Sequence, residues 1–380
     1  MSPISRRNML RGTALATASL PFIKLNSAID AWREQEYPVY TPRGNDAPLV
    51  KLNSNENPYG PSPAAREAII AAIDQGNRYP RTAINKLQKA IAEHENLSED
   101  QVLISAGSTE LLGLSGLMAG LEKGNVIGCN PTFDFLLYFA QQFGANWIKV
   151  PLTEDHKYNL AGINEKVDNN TKLVFVCNPN NPTGSELPKS MLKPFVQTLS
   201  ERTMVYVDEA YIEFSQGGLQ ASLASMTRNN KNIIVARTFS KVYGLAGLRV
   251  GYAIAHPDTI RKMRNYLQGR SVTAGVCSVA AATACIGDQK FVQHCLEMNQ
   301  KAKDLLYAGF GEWGVEYIPS STNFVFFKTD LFGGKDIVKE LQRRNVMIRQ
   351  YSHVPGWARV SIGTPDEIRA FLKETQQLLA

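Results

Sequence analysis

Apolar positions in this chain follow two rhythms. Between about 100 and 256, short runs are apolar on consecutive residues: 102–105, 125–129, 147–152, 172–177, 204–207, 233–236 and 251–255. Longer stretches with helical spacing separate them. Strands covered on both faces must be apolar on both sides of the pleat, so these runs predict the strands of a buried sheet. Their alternation with helices predicts a mainly parallel sheet with ligand loops at the carboxyl ends of its strands. Ahead of it, Ser62-Pro63 followed by Ala, Ile and Glu residues predicts a helix over about 62–76, with a serine cap and proline in its first turn. After about 268 a long helical stretch leads to strand patterns at 316–319, 323–328, 346–350 and 359–362, with a helix near 335–345. The expected fold is thus α/β: a large domain whose sheet is covered by helices, plus a smaller α+β domain. The expected divisions are a leader at 1–28, a Pro- and Asn-rich N-terminal segment at 29–76 joining the small domain, a large domain at 77–267 and a small C-terminal domain at 268–380.

Composition narrows the class. At 380 residues, 44% of them hydrophobic, the chain is long enough for roughly two domains. With 28 Gly and 19 Pro and no repeats, it is neither collagen-like nor disordered. No stretch of about 18 apolar residues predicts stable membrane insertion. The formal charge is +6, and Arg6, Arg7, Arg11 and Lys24 supply four of those charges before residue 29, leaving +2 for the rest. The basic balance belongs to the N-terminus, and no nucleic-acid footprint is read from it. The five Cys form no CxxC pair and no metal-ligand spacing, so buried free thiols and no metal are expected.

The N-terminus changes the picture. Ser5-Arg6-Arg7-Asn8-Met9-Leu10-Arg11 precedes a weakly apolar run at 12–23 and small residues, Ala28 among them. A cationic start, short apolar core and small residues predict a signal peptide, and the paired arginines predict the twin-arginine route. That route exports folded proteins, which suits a chain that captures a cofactor in the cytoplasm. A mature chain beginning near residue 29 in the periplasm is expected; a basic, irregular N-terminus on a cytoplasmic protein is the alternative.

Four segments carry candidate chemistry. Thr238-Phe239-Ser240-Lys241, then Gly244, Gly247 and Arg249, follow the apolar run at 233–236. Burial lowers a lysine's pKa, which favours a nucleophilic amine for an aldehyde. The hydroxyls of Thr238 and Ser240 with the Arg249 guanidinium suit a phosphate. A solvated loop would read the same way taken alone. Asp208 closes the run at 204–207, with Tyr211 three residues on. A buried carboxylate needs a cationic or hydrogen-bonded partner, and a protonated pyridine nitrogen is one. A helix cap with a packed tyrosine is the plainer reading. The loop from Asn178 to Gly184 is fixed by two prolines and a glycine, so Asn181 can hold a polar group in a set place. Ala106-Gly107-Ser108-Thr109-Glu110 feeds a helix with Leu111, Leu114, Leu117, Met118 and Leu121 on one face, and a glycine turn at a helix start presents free N–H groups to an anion. Phe133 is placed to stack on an aromatic ring.

In this order the segments resemble the pyridoxal-phosphate aminotransferases of the aspartate-aminotransferase fold, nearest the histidinol-phosphate aminotransferase group. The resemblance covers roughly residues 50–370. It rests on LNSNENPYGPSP (52–63), NRYP (77–80), AGSTELL (106–112), CNPNNPTG (177–184), VDEAYIEF (207–214), RTFSKVYGLAGLRVGY (237–252), STNFVFF (321–327) and RVSIGT (359–364). It implies pyridoxal 5′-phosphate as cofactor, with Lys241 binding its aldehyde and then moving a proton between Cα and C4′. It implies Asp208 at the pyridine nitrogen, Asn181 and Tyr211 at the ring oxygen, Phe133 on the ring, and Ser108, Thr109, Thr238, Ser240 and Arg249 at the phosphate. Tyr79 would reach the cofactor phosphate of a neighbouring subunit, implying a homodimer with shared sites. Arg359 would clamp the substrate α-carboxylate, Arg349 would contact a distal phosphate, and Asn181 and Asn323 would also line the substrate site.

The implied activity moves an amino group from an amino acid, or an amino phosphate of the histidinol-phosphate kind, to a 2-oxo acid such as 2-oxoglutarate. A decarboxylase on the same scaffold, of the threonine-phosphate type, is the alternative. A regulatory module that keeps the pocket without turnover would carry a DNA-binding domain, and no room for one exists before residue 50. Histidine synthesis is cytoplasmic, so an exported chain points to another amino donor, aromatic ones included.

Overall fold

The structure is a computed structural model that describes residues 49–267, 273–334, 336–351 and 353–379. The expected leader, with Arg6, Arg7, Arg11, Lys24 and Ala28, lies outside the described residues. After a short strand β1 (Val50–Lys51), the apolar runs fold as β2 (Val102–Ser105), β3 (Asn125–Asn130), β4 (Asn146–Pro151), β5 (Thr171–Cys177), β6 (Met204–Asp208), β7 (Ile233–Thr238) and β8 (Gly251–Ala255). These seven form one sheet in the order β2-β8-β7-β6-β5-β3-β4. It is parallel except at β8, which runs against both β2 and β7. Every residue of β7 and β8 is buried, as the unbroken apolar runs required, whereas the edge strand β4 keeps Asn146 and Lys149 at the surface.

Helices cover this sheet for local reasons. Ser62 Oγ accepts from Ala65 N at 3.2 Å and Pro63 occupies the first turn, so the helix Pro63–Ala72 starts where the sequence predicts. The helix Ser108–Leu121 departs from the one-sided pattern expected of it. Leu111, Leu112 and Leu114 are buried with Gly116, Ala119 and Gly120, while Leu121 is exposed. The cause is close packing on the helix Phe135–Gln142: a Cβ on Gly116 would lie 2.6 Å from the Leu136 carbonyl oxygen.

The second core surrounds β9 (Tyr317–Ile318), β10 (Phe324–Lys328), β11 (Val346–Met347), β12 (Arg349–Gln350) and β13 (Trp357–Ser361). Four of these make an antiparallel sheet, β12-β13-β10-β9, while β11 pairs with β1 in parallel. The single strand expected at 346–350 is therefore two. Met347 pairs with Lys51 and Arg349 with Arg359, so the chain changes sheets at Ile348. Strand period two then sorts the faces. Val325, Phe327, Ala358 and Val360 enter the small core with Leu52, Phe310 and Phe371. Phe324, Phe326, Arg359 and Ser361 take the opposite face.

The two cores draw on different parts of the chain. The large core includes Ala65, and also Val279, Ala281, Ala282, Cys285, Val292 and Cys295, whereas the small core takes Leu52 and then resumes at Ala302. Residues 50–52 do join the small core. The helices Pro63–Ala72 and Val276–Gly287 instead pack with the large one, so core membership does not change at 76/77 or at 267/268. It changes within the 25-residue helix Gln289–Trp313.

Candidate active site

Parallel strands deliver their carboxyl ends to one edge of the sheet, and the chemistry gathers there. β6 ends at Asp208 and its neighbour β7 at Thr238, three residues before Lys241. The Lys241 ammonium donates to two carbonyl oxygens, Asn55 O at 3.3 Å and Ser54 O at 3.5 Å, and lies 5.5 Å from the Tyr211 ring centre. Burial, then the Arg359 and Arg249 guanidiniums, lower its pKa to about 8. Asp208 is buried, and its Oδ1 accepts from Ala210 N at 3.1 Å. Burial pushes its carboxyl up to about 7, against the pull of Lys241. The Tyr211 hydroxyl accepts from Asn55 Nδ2 at 3.0 Å, and its ring meets Phe324 edge-on at 5.2 Å. Burial raises its pKa well above the usual phenol range.

A cradle for a compact anion adjoins this group. Gly107, at φ +82°, turns the chain from β2 into the helix Ser108–Leu121, and no side chain caps that helix start. The Arg249 guanidinium lies against it: a Cβ on Gly107 would stand 2.5 Å from Arg249 Nη2. Arg249 Nη1 is 3.5 Å from Ser240 Oγ, and Thr238 Oγ1 donates to Ser240 Oγ at 2.9 Å. The first-turn amides at Ser108 and Thr109, two hydroxyls and a guanidinium thus converge, as a phosphate requires.

The substrate side is built from the small sheet. Arg359 is buried on β13; its Nη1 donates to Asn181 Oδ1 at 2.6 Å and its Nη2 to Asn53 O at 2.9 Å. Its Nε is buried without a hydrogen-bond partner. Arg349 stands directly opposite Arg359 in the β12–β13 register, so two guanidiniums share one face. The loop after β5 brings Asn181 to this clamp, and Phe133 is half-buried beyond β3. Asn323 donates from Nδ2 to Asn55 O at 3.0 Å, which ties it to the 55–56 segment. Tyr79 is 84% exposed and is not enclosed with Lys241.

Two residues gain roles that the sequence did not give them. Asn55, at φ +53°, joins Tyr211 to the small sheet, where its N–H donates to Ser361 Oγ at 2.8 Å. Tyr351 hydrogen-bonds both Asn181 and Arg359. The string 52–63 and its asparagines were the only available signal. Behind the site, Arg237 is 1% exposed, with Nε 3.1 Å from Glu209 Oε2 and Nη1 2.5 Å from Glu95 Oε1. Glu209 follows Asp208 and Arg237 precedes Thr238, so this pair ties the ends of β6 and β7.

The donor set fits pyridoxal phosphate. The cradle suits its phosphate, the carboxyl of Asp208 its ring nitrogen, Tyr211 and the Asn181 amide its ring oxygen, and the Lys241 amine its aldehyde. Among the described residues no group of His, Cys, Asp or Glu could hold a metal ion. No described helix is long and apolar enough to cross a membrane.

Comparison with known proteins agrees with this geometry. Residues 47–374 match the family described as aminotransferase class I and II. A histidinol-phosphate aminotransferase of Akkermansia muciniphila is 35% identical over 337 residues, 88% of this chain and 91% of that protein. One from Anoxybacillus flavithermus is 32% identical over 334 residues, covering 87% and 89%. The solved histidinol-phosphate aminotransferase of Sinorhizobium meliloti, in complex with pyridoxal 5′-phosphate, superposes with a TM-score of 0.83 at 25% identity, covering 96% of this chain and 99% of that one.

Proposed function

This chain belongs to the class I and II aminotransferases, and on that premise we propose that its site moves the amino group of a dianionic donor to a 2-oxo acid such as 2-oxoglutarate. It is a pyridoxal-phosphate-dependent transaminase. The observation that carries the proposal is the buried Arg359 guanidinium, which has an unpartnered Nε and lies close enough to Lys241 to lower its pKa, with Arg349 opposite it in the β12–β13 register. The α-carboxylate takes Arg359, whose Nε has no other partner, as a bidentate pair. In glutamate the second anion is the side-chain carboxylate; a histidinol-phosphate-like amine has no α-carboxylate, and its phosphate takes that place at Arg359, with Arg349 across the β12–β13 register.

When bound, pyridoxal phosphate supplies an aldehyde carbon and an electron-withdrawing ring. Lys241 Nζ, with a pKa of about 8, is partly unprotonated at neutral pH, so it can take the proton from the substrate Cα and return it. Asp208 would pair with the ring nitrogen of the bound group and so favour its protonated form. Tyr211 and Asn181 fix the ring oxygen, and Asn55 holds Tyr211.

The curated relatives named above are aminotransferases, which favours transfer over decarboxylation. A panel of amino donors with 2-oxoglutarate is the test: glutamate forms in the preferred reading, and carbon dioxide without glutamate refutes it. Lys241→Ala is expected to abolish turnover and to leave no pyridoxyl adduct after borohydride.

Two further readings concern the whole protein. Tyr79, with Ile70 at 69% and Ile73 at 57% exposure, supports a homodimer in which Tyr79 enters the partner's site. The arginine pair and apolar run before residue 29 support twin-arginine export to the periplasm.

A further inference from the structure

Arg359 can offer a carboxylate only an edge that its neighbours leave open, and those neighbours are specific. Nη1 donates to Asn181 Oδ1 at 2.6 Å and to the Tyr351 hydroxyl at 2.5 Å. Nη2 gives one hydrogen to Asn53 O at 2.9 Å. Nε, on the other side, is buried and unpartnered. The guanidinium has five N–H donors in a rigid fork, so closing the Nη1 side leaves Nε with the second hydrogen of Nη2 as the bidentate edge.

Tyr351 completes that closure. Its single O–H hydrogen goes to Asn181 Oδ1 at 3.1 Å, and its oxygen accepts from Arg359, so three groups satisfy one another in a triangle. Its ring is braced as well. It meets Phe326 edge-on at 5.6 Å, and Phe326 is stacked on Trp357 at 5.0 Å. Phe326 is the β10 partner of Arg359 in the β10–β13 register, so the brace stands beside the arginine it serves. The Arg359 guanidinium carbon also lies 5.4 Å from the Tyr351 ring centre.

We propose that Tyr351 is a positioning residue that locks the Arg359 guanidinium with its Nε edge toward the substrate anion beside the reacting carbon, the α-carboxylate of an amino acid or 2-oxo acid. The proposal rests on the transaminase reading only for the identity of that anion. A residue acting this way changes the binding of an amino acid donor and a 2-oxo acid acceptor by a similar factor, because both carry the same carboxylate.

Tyr351→Phe keeps the ring packing and deletes the hydroxyl. Wild type and variant would be titrated calorimetrically with maleate and with 3-phenylpropanoate, carboxylates that have no amino or oxo group to react. Cofactor-loaded and cofactor-free protein would both be used. The expected result is affinity about 10-fold lower or more in the variant for whichever probe wild type binds more tightly. KM for donor and acceptor should rise together, kcat should change less than about threefold, and cofactor content and unfolding temperature should hold. Wild-type affinity in the variant overturns the proposal. So does a loss of kcat at unchanged KM, or a fall in cofactor content or unfolding temperature, which would make Tyr351 a general structural support. A wild-type protein that binds these carboxylates yet transfers no amino group refutes the transaminase reading instead.

Discussion

Asp208 and Lys241 both cost stability until a cofactor meets them, and they do so in different pH windows. The folded-state pKa of Asp208, about 7, lies above its ordinary value of 3.8. The folded chain holds the extra proton between those values, so stability falls as pH rises through that window, with the full penalty above 7. Lys241 has a folded pKa of about 8, below 10.5, so its penalty is full below 8 and fades as pH rises toward 10.5. Asp208→Asn removes the first penalty at constant shape. The cofactor-free variant should be more stable than wild type at pH 8 by on the order of 1–3 kcal/mol, the two should converge below about pH 4, and cofactor affinity should drop. Denaturant unfolding of cofactor-free protein across that pH range is the measurement; equal stability at pH 8 would sink the account. Both residues are legible in the sequence because Asp208 closes one apolar run and Lys241 lies just beyond the next, within strings that resemble a known family. Asn55 and Tyr351 are not, since Asn55 takes its role from Ser361, 306 positions away, and Tyr351 from Asn181, 170 away.

At the scale of elements, unbroken apolar runs placed the seven large-sheet strands to within a residue or two. The interval 346–350 misled because both of its halves have the spacing of one strand. Which sheet each half joins is set by β1 and β13, and no local pattern carries that information. The ends of β6 and β7 show how elements are held once formed. Arg237 Nη2 also donates to Ser222 Oγ at 2.6 Å, and Glu213, nearby, has its carboxyl pushed up to about 7 by burial despite the Arg237 charge. Arg237→Met would leave Glu95 and Glu209 buried without their cation. We expect a loss of about 3–5 kcal/mol in denaturant unfolding, mostly recovered when Glu209→Gln is added. A single variant as stable as wild type would show that the carboxylates have other support.

For the molecule as a whole, one extraction addresses both proposals about assembly and address. The mature chain recovered from a producing bacterium should lie in the periplasmic fraction and scatter light as twice the subunit mass. Recovery only as full-length chain in the cytosol refutes export, and a monomeric mass at micromolar concentration refutes the shared site. The division into cores was less legible than the strands, because hydrophobic spacing shows that Gln289–Trp313 is a helix but not that its two ends serve different interiors. That rod has a mechanical consequence. Cys295, near its start, accepts from Asn57 Nδ2 at 3.2 Å, and the same amide grips the carbonyl oxygen of Val242, the residue after Lys241, at 2.7 Å. A force on this helix would therefore bear, through the one Asn57 side chain, on the peptide beside the reactive amine.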